Sequence, residues 1–323
     1  MITLAILACK GPATPTDTDT DTPVPEETGD TDVVPTADTA PDLPVVQCSA
    51  LLSSGLPNQP VPGARAYHGL AFGEDGSLVG SNGTSLIKAL DFGVNNLFVP
   101  NVGSGQQMGY LPSGELVMSA DNGGIVGVMP NGSQRTIASN VNAYGLRIGP
   151  DGNIYTANQQ SVDVIDPVTG DRTTWFSDPG IYPKVLDFAV DHSKVYIGTL
   201  GNNGRVFEVD LDPGLVPVGD ARVLGMTGGN WHDGLGVDAC GNVYVAEYNT
   251  TSLYRISPSG QVQTLVNYPF QQYGHGLEWG NGTGPWRLDA LYIPQPYDNN
   301  TVHEIVIGVP AGSYAGGGFV IVP

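Results

Sequence analysis

The sequence predicts an all-β fold: one six-bladed β-propeller of four-stranded antiparallel blades, spanning residues 46–323. Three observations predict it. A unit of roughly 40 residues recurs along the chain. Each unit sets a turn, mostly x-(Asp/Ser/Cys)-Gly, between two short apolar runs, and that is a strong hairpin signal. No window sustains a 3.6-residue apolar period over three turns, so almost no helix is expected.

The turn reads Glu74-Asp75-Gly76, Pro112-Ser113-Gly114, Pro150-Asp151-Gly152 and Ala239-Cys240-Gly241, with Asp191-His192-Ser193 as the copy lacking the glycine. A short strand precedes each turn, as at 69–72 and 234–237, and a second follows, as at 77–80, 115–118, 153–156, 194–197 and 242–245. An Asn-rich loop comes next, then a third strand (205–209 or 252–256), a Pro/Gly turn and an outer strand (261–266). Four strands per repeat make a blade, and ring closure leaves only short edges exposed. The inner strands start near residues 68, 106, 144, 185, 233 and 275. The sixth copy carries an insertion at 281–287, and either residues 45–66 or residues 318–322 complete its blade. A β-sandwich would not give six near-equal units, and no seventh unit is found.

The chain has 45 Gly and 26 Pro against 12 Lys plus Arg, and a formal net charge of −20. No nucleic-acid partner is expected, because a phosphate backbone needs clustered Lys and Arg. Residues 10–45 hold nine acids and one base in a Thr/Asp/Pro-rich run. Such a segment cannot offset its ordering entropy by burial and reads as an extended, disordered tether. Before it, the apolar run 1–8 ends in Ile6-Leu7-Ala8-Cys9, which resembles the lipobox of bacterial lipoproteins and implies a lipidated Cys9. The run is too short to span a membrane. It is also short for a signal peptide and lacks a basic start, so a start codon upstream of Met1 is expected. Together these place the protein in the bacterial cell envelope, in the periplasm or at the cell surface. Its membrane contact would be through the lipid anchor only, and it is expected to be a monomer. Two cysteines then remain, Cys48 and Cys240. In an oxidising compartment they can pair as a disulfide, the alternative being two separate thiols.

The stretch 232–246, His-Asp-Gly-Leu-Gly-Val-Asp-Ala-Cys-Gly-Asn-Val-Tyr-Val-Ala, is similar to the Pro-Asp-Gly segment of the SMP-30/gluconolactonase/strictosidine-synthase-like propellers. NHL-type propellers are the next resemblance. The resemblance covers the repeat region as a pattern and is specific in this one stretch. It implies a divalent metal at the channel mouth, held by a Glu of the first blade, an Asn of a middle blade and the Asp of that segment. Asp233 matches the Asp; the Glu position falls at His68 and the Asn position at Lys184 or Val185.

The repeat register puts one residue per blade at the channel mouth: His68, Gln106, Tyr144, Val185, Asp233 and His275. Asp233, His275 and His68 come from successive blades and form a candidate metal site. With two imidazoles it would take zinc, manganese or iron before calcium. A bound ion there would acidify a water for hydrolysis. The plain alternative is a wet channel lined by polar side chains. A small-molecule pocket is the third use, with walls from Tyr144, Trp231, Tyr273 and Trp279, though Trp279 fills the core slot that Phe72 fills in blade one. Three functions stay open: a ligand- or partner-binding envelope propeller, a metal-dependent lactonase or esterase, and a protein-interaction scaffold. No catalytic residue is assigned beyond the candidate metal ligands.

Overall fold

The computed structural model describes residues 45–103, 105–120, 122–268, 274–314 and 320–322. Cys9, the tether up to residue 44 and Tyr273 lie outside the described residues. Leu43–Pro323 form one compact unit. In it, six four-stranded antiparallel sheets follow one another in sequence. Their inner strands are Leu70–Phe72, Gly105–Tyr110, Gly145–Ile148, Pro183–Phe188, His232–Val237 and Glu278–Trp279. The propeller and its blade count are as expected from the repeat.

The last blade is closed from the front of the chain. Asn58–Arg65 pairs with Thr301–Val306 as the fourth strand of blade six. Val320–Val322 instead pairs in parallel with Val45–Gln47 outside the six blades. Cys48 and Cys240 form a disulfide, with Cα atoms 5.6 Å apart and 192 residues apart in sequence. It pins the entry of the chain to the turn of blade five. A closed loop of that length restricts the unfolded chain enough to stabilise the fold by about 3–5 kcal/mol.

The turns form for a local reason. Gly76, Gly114, Gly152 and Gly241 all have φ between 76° and 80°, which only glycine adopts freely. In the copy without glycine, His192 takes the same left-handed conformation, φ 57°. The turn aspartates accept from the backbone two residues on: Asp75 from Ser77, Asp151 from Asn153, Asp191 from Ser193 and Asp238 from Cys240. The second-strand tyrosines of two blades complete them, Tyr155 donating to Asp151 and Tyr244 to Asp238.

The core lies between blades rather than within one centre. Six apolar clusters fill the six gaps, for example Ala71, Val79, Met108 and Met118 between blades one and two. Trp279 and Tyr244 sit in the gap between blades five and six. The insertion in blade six contributes Trp286, buried against blade one, whose Nε1 donates to the Gly76 carbonyl at 2.7 Å. Each blade therefore holds its neighbours, and the inner strands ring a channel with two distinct ends.

Candidate functional site at the channel mouth

The strand-start end of the channel gathers Lys184, Asp233, His68 and His275. Lys184 Nζ lies against Asp233 Oδ1 in a buried ion pair. The same ammonium lies 4.8 Å from the centre of the Trp231 ring and 5.5 Å from that of Tyr144, so two aromatic faces stabilise it as well. Asp233 Oδ2 is 3.4 Å from His275 Nδ1, and His275 Nδ1 is 2.8 Å from His68 Nδ1. His275 Nε2 is buried and has no hydrogen-bond partner. Outside this group stand the rings of Tyr248 and Tyr297, 5.0 and 5.8 Å from His275.

Local strand irregularity sets which side chains arrive there. In blades two, four and five the pairing of the first and second strands slips, at Gly105/Met108, at Pro183/Val185 and at His232/Gly234. Such bulges re-aim a side chain. Lys184 and Asp233 sit in two of them, and Gln106 and Gln107 in the third. Val185, the residue placed at the mouth by the repeat register, packs in the apolar gap between blades four and five. Gln107 crosses the channel from blade two to blade five, its Nε2 donating to the Asp233 carbonyl at 2.8 Å. Gln106 is half-buried beside it.

The ion pair at the centre of the mouth is neutral. Burial pulls the Lys184 amine well below its ordinary pKa, and Glu247 opposes that shift. Whichever partner holds the proton, Lys184 and Asp233 together carry no net charge. Burial, then Lys184, lowers His68 to about 4. Burial, then His68 and Lys184, lowers His275 to about 2. Both imidazoles are thus uncharged at pH 7. His232, next to Asp233 in sequence, serves the scaffold. Its Nδ1 accepts from the Thr199 N–H at 3.0 Å, so its Nε2 carries the proton toward Thr227 Oγ1, also 3.0 Å away. Burial, with Lys184, lowers it to about 3.

The expected metal ligands Asp233, His68 and His275 do come together, but not as an ion-binding set. Asp233 is engaged by an ammonium, and the two imidazoles bond each other. Among the described residues no group of three or more His, Cys, Asp and Glu is placed to hold a metal. With Lys184 protonated, a divalent ion about 4 Å from its charge would meet a repulsion on the order of 8 kcal/mol at an effective dielectric of about 20. As arranged, Asp233, His68 and His275 do not form an ion-binding set, and the Lys184 ammonium lies against the carboxylate expected to hold the ion.

The opposite, turn-side end carries a second polar group. Arg147 of blade three crosses the channel to Glu278 of blade six, Nη1 to Oε2 at 2.5 Å. Its Nη2 donates to the Leu235 carbonyl at 2.7 Å, and its Nε lies 3.3 Å from Asp187 Oδ1. Burial raises both carboxyl groups from their ordinary values, with Arg147 opposing the shift. Beyond Arg147 opens a cavity of about 340 Å³, lined among others by Phe72, Tyr110, Ile148, Phe188 and Trp279. The sequence reading missed this group. Its signal was an equal offset: Arg147, Asp187 and Glu278 each stand three positions after Tyr144, Lys184 and His275.

Fold and site together define a six-bladed propeller whose channel is barred at two levels. Within it, residues 168–274 match the family model described as the SMP-30/Gluconolactonase/LRE-like region, so the resemblance read around Asp233 is borne out. Among solved structures, the chain is similar to a gluconolactonase, XC5397 from Xanthomonas campestris. Their TM-score is 0.67 at 14% identity, covering 83% of this chain and 95% of that one. It is similar to a calcium-binding protein, regucalcin, from Agrobacterium tumefaciens, with TM-score 0.62, 17% identity and coverage of 79% and 95%. It is also similar to an auxiliary nutrient binding protein from Bacteroides ovatus, with TM-score 0.59, 12% identity and coverage of 79% and 77%. At these identities the likeness shows the fold. No curated protein matches the chain in sequence.

Proposed function

We propose that the chain is an exported propeller that binds a small polar ligand at the channel mouth without a metal ion. The observation that carries this reading is the Lys184 ammonium on Asp233, between Trp231 and Tyr144. It sets a hydrogen-bonding amine, paired with Asp233, at the place where the family resemblance calls for an ion. Two uncharged imidazoles can each donate or accept a hydrogen bond, and His275 Nε2 has no partner in the fold. Trp231 and Tyr297 are 38% and 55% exposed, offering apolar faces beside those polar groups. An uncharged ligand with hydroxyls and one apolar face, such as a sugar or polyol, suits that combination. The Cys48–Cys240 disulfide supports an oxidising compartment; attachment to the cell envelope through Cys9, as a monomer, is part of the proposal.

A metal-dependent lactonase or esterase is the second reading, favoured by Asp233 lying within the family match. A protein-binding scaffold has Leu90, Phe92, Val94 and Leu97, exposed on the outer hairpin of blade one, in its favour. One experiment separates the first two. Purified protein is assayed for metal content, for melting-temperature gain with calcium or zinc, and for gluconolactone hydrolysis with and without EDTA. A monosaccharide panel is screened in parallel. The expected result is no stoichiometric ion, no gain with metals, and a sugar-dependent gain lost in His275→Leu. A stoichiometric ion, or lactone hydrolysis abolished by EDTA, would sink the proposal.

A further inference from the structure

The turn-side cavity is separate from the mouth by position, charge and lining. Gln107 and Arg147 each cross the channel between the two ends. At the turn side the walls are mainly apolar: Phe72, Met108, Ile148, Phe188, Val237 and Trp279. The floor is Arg147 with Asp187 and Glu278, one guanidinium for two carboxylates. With both acids ionised the group carries one uncompensated negative charge. Neither Lys nor a second Arg lines the cavity; His192 lies at its rim.

The two carboxylates are not shut in. Their side chains are 20% and 21% exposed, and both residues line the cavity. Each oxygen has acceptor capacity left. Asp187 takes the N–H groups of Phe188 and Val237 beside Arg147, and Glu278 takes that of Trp279. A carboxylate in a site of low dielectric, with an apolar wall facing it, gains most from a partner that is itself a hydrogen-bonding cation. A volume of about 340 Å³ lies in the range that holds a small organic molecule.

From this geometry we infer a second ligand site, at the turn-side end of the channel, for a small primary amine with an aromatic or aliphatic body. The ammonium lies on Asp187 and Glu278, and the body lies against Phe72, Phe188 and Trp279. Nothing in this site depends on the mouth.

Calorimetry on the intact protein at pH 8 and low salt tests it with three matched probes: benzylamine, benzyl alcohol and benzoate. Benzylamine is expected to bind one to one, at least about tenfold more tightly than the alcohol, and benzoate not at all. Glu278→Gln removes the excess charge and is expected to weaken benzylamine by about tenfold or more. Ser313→Trp, at the exposed rim of the cavity, keeps the polar floor and is expected to block entry. Its folding is checked by an unchanged melting temperature. Benzoate binding as well as benzylamine, benzylamine binding unaffected in folded Ser313→Trp, or no saturable benzylamine binding in the millimolar range would each overturn the assignment.

Discussion

The two ends of the channel use the same device with different electrical results. At the mouth one ammonium meets one carboxylate in direct contact, so the pair cancels, and the surrounding imidazoles are uncharged. At the turn side one guanidinium meets two carboxylates, so the site keeps a negative excess and stays open beside a cavity. The same cross-channel cation therefore leaves two different surroundings: paired polar groups at the mouth, and a carboxylate excess beside a cavity at the turn side. The mouth keeps one opening of its own, the unpartnered His275 Nε2.

The sharpest way to break this comparison is to remove each cation. Lys184→Met strands a carboxylate whose side chain is 6% exposed, and breaking such a pair costs about 3–5 kcal/mol. Arg147→Met strands two carboxylates that then repel each other, and it is expected to cost more. Urea unfolding at pH 8 measures both. Adding Asp233→Asn to Lys184→Met should recover most of the loss, because the stranded charge goes with it. If Arg147→Met proves the milder of the two, the turn-side acids are not both ionised and the charge count at that end is wrong.

Acid titration sharpens the comparison next, because the ends should respond with opposite sign. His68, His232 and His275 have folded pKa values lowered to about 4, 3 and 2, with burial the first cause of each. In the unfolded chain they take up protons near pH 6.5, before the folded chain does. Their contribution is present above pH 6.5 and is lost as pH falls toward those folded values. Each histidine accounts for about 2 kcal/mol by pH 5 as an upper bound. Asp187 and Glu278 have folded values raised by burial. Their contribution is largest below the ordinary carboxylate range and declines as pH rises through the folded values. Melting temperature against pH should therefore fall steeply below about pH 6. His232→Asn should flatten that fall, and Glu278→Gln should lift the curve on its alkaline side. A curve unchanged by His232→Asn would remove His232 as an acid-sensitive group.

Much of the fold was legible because the repeat is written in local chemistry. The Asp-Gly turns and the short apolar runs on either side of them each act within a few residues. They fixed six blades and placed Trp279 in the core. The closing strand was legible only as an alternative, since the pairing of 58–65 with 301–306 joins distant parts of the chain. The mouth was legible to within one residue. Asp233, His275, His68 and Tyr144 meet there, but Lys184 replaces Val185, and Gln107, next to the expected Gln106, bonds the Asp233 carbonyl. Both slips have one cause: bulges at Pro183/Val185 and Gly105/Met108 add a residue that a uniform register does not count. The Arg147 group went unread because its partners come from three blades, and only the equal offset from the mouth residues joins them.

The smallest effect concerns the rim of the turn-side cavity. His192 lines that cavity and stands in the one x-Asp-Gly-type turn that lacks its glycine, at φ 57°. A left-handed conformation costs a side-chain-bearing residue about 1–2 kcal/mol, part of which glycine returns as unfolded-state entropy. His192→Gly is therefore expected to stabilise the fold by roughly 0.5–1 kcal/mol, read as a shift in urea midpoint at constant slope. The same variant removes the one basic side chain at the rim. Benzylamine affinity should then hold or rise slightly, since a potential cation is taken from beside the excess carboxylate. A stabilised variant with weaker amine binding would mean that His192 itself contacts the ligand, and the open end of the channel would owe its selectivity to the rim as well as to the Arg147 floor.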